Sequence, residues 1–283
     1  MALTPAMLAS NMLVARASAE LIPPVALAVG RWTIAALILL PFTAKPLWEA
    51  RRALRREWLD IFILGALGMG ICGAVVYAGA ATTTATNIGL IFSASPVIII
   101  VLARVFYGEA MSLRQAFGVA LSLLGVIIIV ARGDLDVLHG LAFTPGDLCM
   151  AAGAIAWAVY TIMLQHRPTV LASRPRLAAS ALAGVILMLP FLVLESRHQV
   201  PRFDALTVST MAFVAIVPGL LTYLTYDFLQ RRLGANRTSL LMYLVPLYNA
   251  GLAWILLGER LQYFHLIGAA LVLPGLWLAT RKP

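Results

Sequence analysis

Charged side chains are scarce in this chain: Asp, Glu, Lys and Arg make up 12% of its 283 residues. Soluble domains carry about twice that share, so water is a poor solvent for most of this sequence. Cysteine is scarcer still. Cys72 and Cys149 both fall inside apolar runs, which argues against a disulfide framework and against a metal site. The four histidines, His139, His166, His198 and His265, lie in different loops or at different helix ends, and do not gather into the interfacial cluster that a lipid-modifying enzyme needs. No phosphate-binding Gly-rich loop of the ATPase kind is present, which argues against an ATP-driven pump. The longest linkers, 44–58 and 132–145, are too short for a catalytic or nucleotide-binding domain. No cofactor is expected.

What fills the chain is apolar: 61% of residues, with a mean hydropathy of +0.92. No soluble core absorbs that much apolar surface. The net charge of +9 and pI near 10.2 would suit nucleic acid, but the basic residues sit in short loops between apolar runs. They read as topology signals, so the expected surroundings are a lipid bilayer and no nucleic-acid partner is expected. A helix needs about 20 mostly apolar residues to cross the hydrocarbon core. That ruler predicts spans near 3–18, 21–43, 59–79, 85–106, 112–131, 146–165, 176–194, 205–229, 235–257 and 262–280. The first is short, carries Asn11 and Arg16, and lacks the basic start of a cleavable signal peptide. With the N-terminus cytoplasmic, 15 Lys and Arg fall inside and 6 outside, Arg31 among the latter, so both termini are expected in the cytoplasm. The basic stretch 44–58 reads as a candidate interfacial helix.

The sequence also repeats itself. Pro96, Gly108-Glu109, Gly118 and Gly125 return 150 residues later as Pro246, Gly258-Glu259, Gly268 and Gly275. Upstream the offset is 149, so Leu40-Pro41-Phe42 matches Leu189-Pro190-Phe191. A duplication with one indel leaves that slip. Five spans per copy is an odd number, so the copies sit upside down relative to each other. The expected architecture is therefore an all-α integral membrane protein, ten transmembrane helices arranged as two inverted five-helix repeats, 1–131 and 146–283, joined by an outer linker 132–145. Inverted repeats are a hallmark of transporters.

Small residues indicate how the spans meet. Gly118, Ser122 and Gly125 lie on one helical stripe, repeated by Gly268 and Gly275, and predict close helix packing. Gly65, Gly68, Gly70 and Gly73 crowd the third span and would loosen it, either for bending or for close packing. Glu109 and Glu259 stand just ahead of a helix, where a carboxylate satisfies exposed backbone N–H groups. Asp227, the only acid well inside a span, is four residues from Arg231 and predicts an i,i+4 pair.

Several short runs, in order, resemble the drug/metabolite transporter superfamily and its ten-helix EamA-type carriers. They are Ser10-Asn11, Ile22-Pro23-Pro24, Gly30-Arg31, Ser93-Ala94-Ser95-Pro96 and Gly108-Glu109 in the first copy. In the second they are Ala156-Trp157-Ala158-Val159-Tyr160, Tyr243-Leu244-Val245-Pro246 and Leu257-Gly258-Glu259-Arg260. The overall pattern is similar to bacterial exporters of amino acids, the aromatic branch included. The resemblance implies an inner-membrane carrier, not an enzyme, that exports amino acids and related metabolites by alternating access. Related carriers often have a Trp before the Ser-Asn run and a Lys after it. Here Leu8 and Arg16 stand instead, which puts any role of that Trp in doubt. The related four-helix drug antiporters use a membrane-embedded Glu; the first span has no acid at its centre, so uncoupled transport of a neutral or zwitterionic solute is expected.

Polar and aromatic residues within the spans are the candidates for touching that solute. Asn11 is mid-span and its counterpart at offset 149 is Tyr160. Trp157 with Tyr160, and Tyr223 with Tyr226, are three apart and share a helix face. Aromatic walls suit an amphipathic organic solute. Ser93 and Tyr243 precede the paired prolines Pro96 and Pro246, each expected to free a carbonyl, of Phe92 and Met242, and Asn249 follows on the same face. The alternatives at these positions are helix-to-helix hydrogen bonds, an interfacial aromatic belt, and plain kinks. Tyr77, near a span end, fits either class. The expected substrate-binding set is thus Asn11, Ser93, Trp157, Tyr160, Tyr223, Tyr226, Tyr243 and Asn249, in a chain working as a monomer. Rival readings are a carrier for another metabolite or drug, and a membrane-integral lipid enzyme. A phosphorylated cargo would need paired cations, which this set lacks unless Arg31 reaches inward.

Overall fold

The computed structural model describes residues 3–18, 21–134, 136–139, 144–199, 201, 204–257 and 262–280. Helix is the only regular structure among them. Ten long helices follow the chain: α1 Leu3–Ala17, α2 Pro24–Glu49, α3 Trp58–Ala80, α4 Thr86–Tyr107, α5 Leu113–Val130, α6 Pro145–His166, α7 Ser173–Ser196, α8 Ala205–Leu233, α9 235–257 and α10 Tyr263–Thr280. Eight of them, all but α1 and α9, are long and apolar enough to cross a membrane. α1 has 15 residues, and α9 is interrupted by a 3-10 stretch, Leu240–Leu244. The stretch 44–58 divides differently from the expectation. α2 runs on to Glu49, and only a six-residue helix, Arg51–Arg56, remains, with none of its residues buried.

Two local signals set helix ends. Gly108 closes α4 at φ 66°, left-handed backbone that a side chain would strain. Ser112 and Gln115 then form a capping box that starts α5. Glu109, expected to cap this helix, does not; its carboxylate turns to the other half of the chain, as described below. Glu259 lies outside the described residues.

The repeat is visible in the packing. The broadest helix contact joins α5 to α10, and another broad one joins α2 to α7, so in both cases a helix meets its own repeat counterpart. α1 packs on α9 as α6 packs on α4, and α3 meets α6 and α7 as α8 meets α1 and α2. The small-residue stripes explain the first contact. A Cβ on Gly118 would stand 2.5 Å from the Gly275 carbonyl, and one on Gly125 would stand 2.8 Å from the Gly268 carbonyl. Backbone therefore meets backbone along the whole α5–α10 seam.

Both halves also carry a wide, π-helical stretch at equivalent places, Gly65–Val75 in α3 and Ala215–Leu221 in α8. The glycines predicted to loosen α3 coincide with its stretch. They serve close approach as well: a Cβ on Gly65 would lie 2.7 Å from the Ser180 carbonyl, and one on Gly68 would lie 2.8 Å from the Tyr160 ring. The paired prolines mark breaks more than kinks. The helix turns at Ala94 ahead of Pro96, and the 3-10 stretch precedes Pro246. The Met242 carbonyl, expected to be free, accepts the Val245 N–H, and the Ala94 N–H points at the Ile91 and Phe92 carbonyls. Large apolar side chains such as Phe42, Ile186, Phe191, Leu266 and Trp277 face outward, where lipid takes the place of a core.

Gly118→Val is expected to destabilise the protein in detergent by about 1–3 kcal/mol through overpacking at the α5–α10 seam. Gly70→Ala, whose Cβ would meet nothing nearer than 3.9 Å, is expected to unfold within a degree or two of the parent. Thermal unfolding followed by helix signal checks both.

Candidate functional site

α2 carries a cation into the middle of the bundle. Arg31 is 3% exposed. Its Nη1 donates to Asn11 Oδ1 at 3.0 Å and to the Tyr77 hydroxyl at 2.6 Å, and its Nη2 donates to the Pro218 carbonyl at 2.8 Å. The Tyr77 hydroxyl in turn donates to Asn11 Oδ1 at 2.8 Å. The guanidinium carbon lies 4.9 Å from the Trp32 ring centre and 5.9 Å from that of Tyr223, close enough for cation–π attraction. Among the described residues no carboxylate forms an ion pair with it. A lone Arg at the centre of a membrane helix costs about 2.5–3.5 kcal/mol on insertion scales. Three charge-assisted hydrogen bonds and two aromatic faces are the means by which α1, α2, α3 and α8 offset that cost.

Beside the guanidinium stands an aromatic cluster drawn from both halves. Trp32 meets Tyr223 edge-on at 4.8 Å, and Trp157 lies 4.9 to 5.6 Å from Tyr160, Tyr223 and Tyr226. All five rings are buried. The Tyr223 hydroxyl donates to the Gly68 carbonyl at 2.6 Å. Gly68 and Pro218 are repeat equivalents, 150 positions apart in the two π-helical stretches. Each of these two carbonyls accepts from a side chain of the opposite half.

Next to this cluster lies a cavity of about 10 Å³, room for one water. Tyr160, Ser180, Arg176 and Asp227 are among its walls. Asp227 pairs with Arg231 at 3.0 Å, as its spacing predicted. Arg176 is buried and donates to the Leu164 and Met163 carbonyls at 3.0 and 3.4 Å, which closes the end of α6. Arg176 is one of the 15 basic residues expected inside, as Arg31 is one of the 6 expected outside. Both point inward, so neither reports on loop position.

Both ends of the bundle are tied across the halves. At the basic end, His166 Nε2 lies 3.1 Å from Glu109 Oε1 and stacks on Tyr107, while Asn236 donates to Glu109 Oε2 at 2.6 Å. Glu57 accepts from the Thr169 hydroxyl at 2.7 Å, and Asp60 faces Arg167 at 3.6 Å. At the other end, the Glu195 carboxylate accepts the backbone N–H groups of Val25 and Ala26 at 2.9 and 2.8 Å. That is an acid capping a helix start from across the protein. Asp147, 1% exposed at the start of α6, is held by Thr83, Asn87 and the Thr144 N–H. Reading Asp227 as the sole embedded acid overlooked it, because a first-turn Asp looks like an ordinary cap.

Of the eight expected site residues, the structure gathers five: Asn11, Trp157, Tyr160, Tyr223 and Tyr226. The other three lie elsewhere. The Ser93 hydroxyl is turned back onto the Leu90 carbonyl at 2.6 Å. Tyr243 is buried in a second core with Ile100, Val119 and Val272. Asn249 is exposed on α9. The sequence reading left Arg31 and Tyr77 open and missed Trp32 as a member of the centre. The available signal was an Arg flanked by long apolar runs, which no topology role requires.

A multi-pass helical membrane protein made of two repeated halves that enclose a polar and aromatic centre is, by class, a carrier. The EamA-like transporter family matches residues 1–131 and 144–281, and the chain belongs to that family. Its relatives include an uncharacterized transporter of Archaeoglobus fulgidus, 29% identical over 80% of this chain and 77% of that one. A probable terminal-alkyne amino-acid exporter of Streptantibioticus cattleyicolor is 28% identical over 90% of this chain and 84% of its own. A probable amino-acid metabolite efflux pump of Salmonella typhimurium is 28% identical over 67% and 65%. A solved crystal structure superposes with a TM-score of 0.77 at 20% identity, covering 98% of this chain and 94% of that one, which speaks to the fold alone. The chain is thus a transporter, and the lipid-enzyme alternative falls.

Asn11→Ala removes the acceptor shared by Arg31 and Tyr77. Leaving two buried donors unpaired is expected to cost about 1–3 kcal/mol, whereas Asn249→Ala is expected to be near neutral. Unfolding temperatures of the two purified variants test the contrast.

Proposed function

We propose that the protein exports amino acids with apolar or aromatic side chains, and related small metabolites, by alternating access. The observation that carries this reading is the aromatic cluster at the meeting of the halves. Trp32 comes from the first half, and Trp157, Tyr160, Tyr223 and Tyr226 come from the second. Stacked and edge-on rings are a wall for an apolar body, and a repeat-built carrier seats its cargo at such an interface. Two relatives named for amino-acid export support the same class.

The carrier is read as facilitative. Asp227 is tied to Arg231, and Asp147 is satisfied by three donors at one end of α6, so neither acid reaches the Arg31 centre. The bacterial inner membrane is the expected location, with the basic end and both termini in the cytoplasm, in line with the excess of Lys and Arg there. Phosphorylated cargo fits poorly, because Arg176 is engaged by the Leu164 and Met163 carbonyls and Arg31 is the one buried guanidinium left with an unpartnered donor, not a pair.

Transport into proteoliposomes is the test. Labelled phenylalanine or tryptophan is expected to exchange saturably at a rate independent of an imposed pH gradient. Tyr160→Ala is expected to lower that rate about tenfold or more, or ~1.4 kcal/mol, at unchanged folded yield. Strict dependence on the gradient would overturn the uncoupled mechanism, and absence of amino-acid flux would overturn the exporter reading.

A further inference from the structure

We propose that Arg31 is the seat for the cargo's carboxylate, which makes the cargo class monocarboxylates with apolar bodies, whether or not they carry an amino group. This deepens the exporter reading above and rests on it. A guanidinium has five N–H donors in a planar fork. Three contacts are made, two from Nη1 and one from Nη2. Nε is buried without a hydrogen-bond partner. The Nε edge, with its neighbouring Nη2 hydrogen, is the side on which a carboxylate binds through two parallel hydrogen bonds.

The wall beside that edge is the backbone of a residue without a side chain, Gly219. A Cβ on Gly219 would stand 3.3 Å from Nε and 3.7 Å from Cγ of Arg31. Gly219 follows Pro218, whose carbonyl already accepts from Nη2, so the π-helical stretch of α8 holds the fork while the backbone beside Nε offers it no acceptor. Every present partner of Arg31 is neutral, as an amide oxygen, a phenol and a peptide carbonyl. A full positive charge met only by dipoles in a dry interior gains most from an anion. The cargo's apolar body then falls against Trp32 and Tyr223, the rings already nearest the guanidinium.

The other buried guanidinium of the centre does not compete for this role. Arg176 is engaged by two α6 carbonyls and stands on the Asp227 side. With one charge available, a carboxylate is matched and a doubly charged phosphate is not.

Competition in counterflow separates this from a purely structural Arg31. Wild-type vesicles taking up labelled phenylalanine are challenged with unlabelled phenylalanine, 3-phenylpropionate and phenylalaninamide. The two acids are expected to compete within a few-fold of each other, and the amide about 10- to 100-fold more weakly. Asn11→Asp places an internal carboxylate on Arg31. It is expected to fold, with an unfolding temperature at or above the parent's, and to lose the acid-over-amide preference. Equal competition by acid and amide on the wild type overturns the carboxylate seat while the exporter reading stands, and so does a folded Asn11→Asp that keeps the wild-type preference. Should Asn11→Asp not fold, the wild-type competition alone decides. If the wild type moves no phenylalanine, the exporter reading falls and the seat falls with it.

Discussion

Hydrocarbon gives a peptide group nothing to bond, so a carbonyl released from a membrane helix must find its partner inside the protein. That constraint decides where this fold can be irregular. The π-helical stretches Gly65–Val75 and Ala215–Leu221 lie at equivalent depths of the two repeats and face protein. The carbonyl of Gly68 is taken by Tyr223 from the second half, and that of Pro218 by Arg31 from the first. The acceptors are strict repeat equivalents; the donors are not. Each half thus places a side-chain donor on the backbone of the other, which couples the irregular segments to the aromatic and cationic centre. Any rearrangement of one π-helical stretch must re-seat a side chain of the opposite half.

Much of this was legible in the chain because hydrophobic length and small-residue spacing are local signals. The ten spans fall within a few residues of the helices, most of the ends differing only by fraying or capping, as where Ser112 and not Glu109 starts α5. The Gly118–Gly125 and Gly268–Gly275 stripes pointed to packing, and the structure lays one on the other. The centre was only half legible. Spacing shows which residues share a face of one helix, but not which face meets which neighbour. Tyr223 and Tyr243 therefore looked equivalent, although one joins Trp157 and the other packs with Val272. Arg31 stayed outside the expected site set for a different reason. Counting basic residues to orient a membrane protein assumes that each lies at a helix end, and that assumption hides the charge buried in the middle.

The duplicated scaffold is symmetric, but its lining is not. At the offsets read from the sequence, Asn11, Arg31 and Tyr77 of the first half correspond to Tyr160, Ser180 and Asp227 of the second. The first trio surrounds a cation, and the second borders the small cavity that carries an acid. Symmetry of the frame gives two equivalent ways of rocking the halves. Asymmetry of the lining gives the two faces of the centre different chemistry, a guanidinium with neutral partners on one and the Asp227–Arg231 pair with Arg176 on the other.

The ties at the two ends also differ in kind, and this bears on the proposed cycle. At one end Glu195 accepts two backbone N–H groups at a helix start, a contact with little freedom to re-form elsewhere. At the basic end the ties run through side chains, His166 to Glu109, Asn236 to Glu109, Arg167 to Asp60 and Thr169 to Glu57. Side-chain pairs near an aqueous surface contribute little individually and exchange readily with water. The central cavity of about 10 Å³ has no room for an amino acid, so loading requires one end to part. On energetic grounds the basic end is the looser of the two. Cargo reaching the centre from that side would meet the Asp227–Arg231 pair and Arg176 before the Arg31 face, so charges of both signs line its way to the guanidinium.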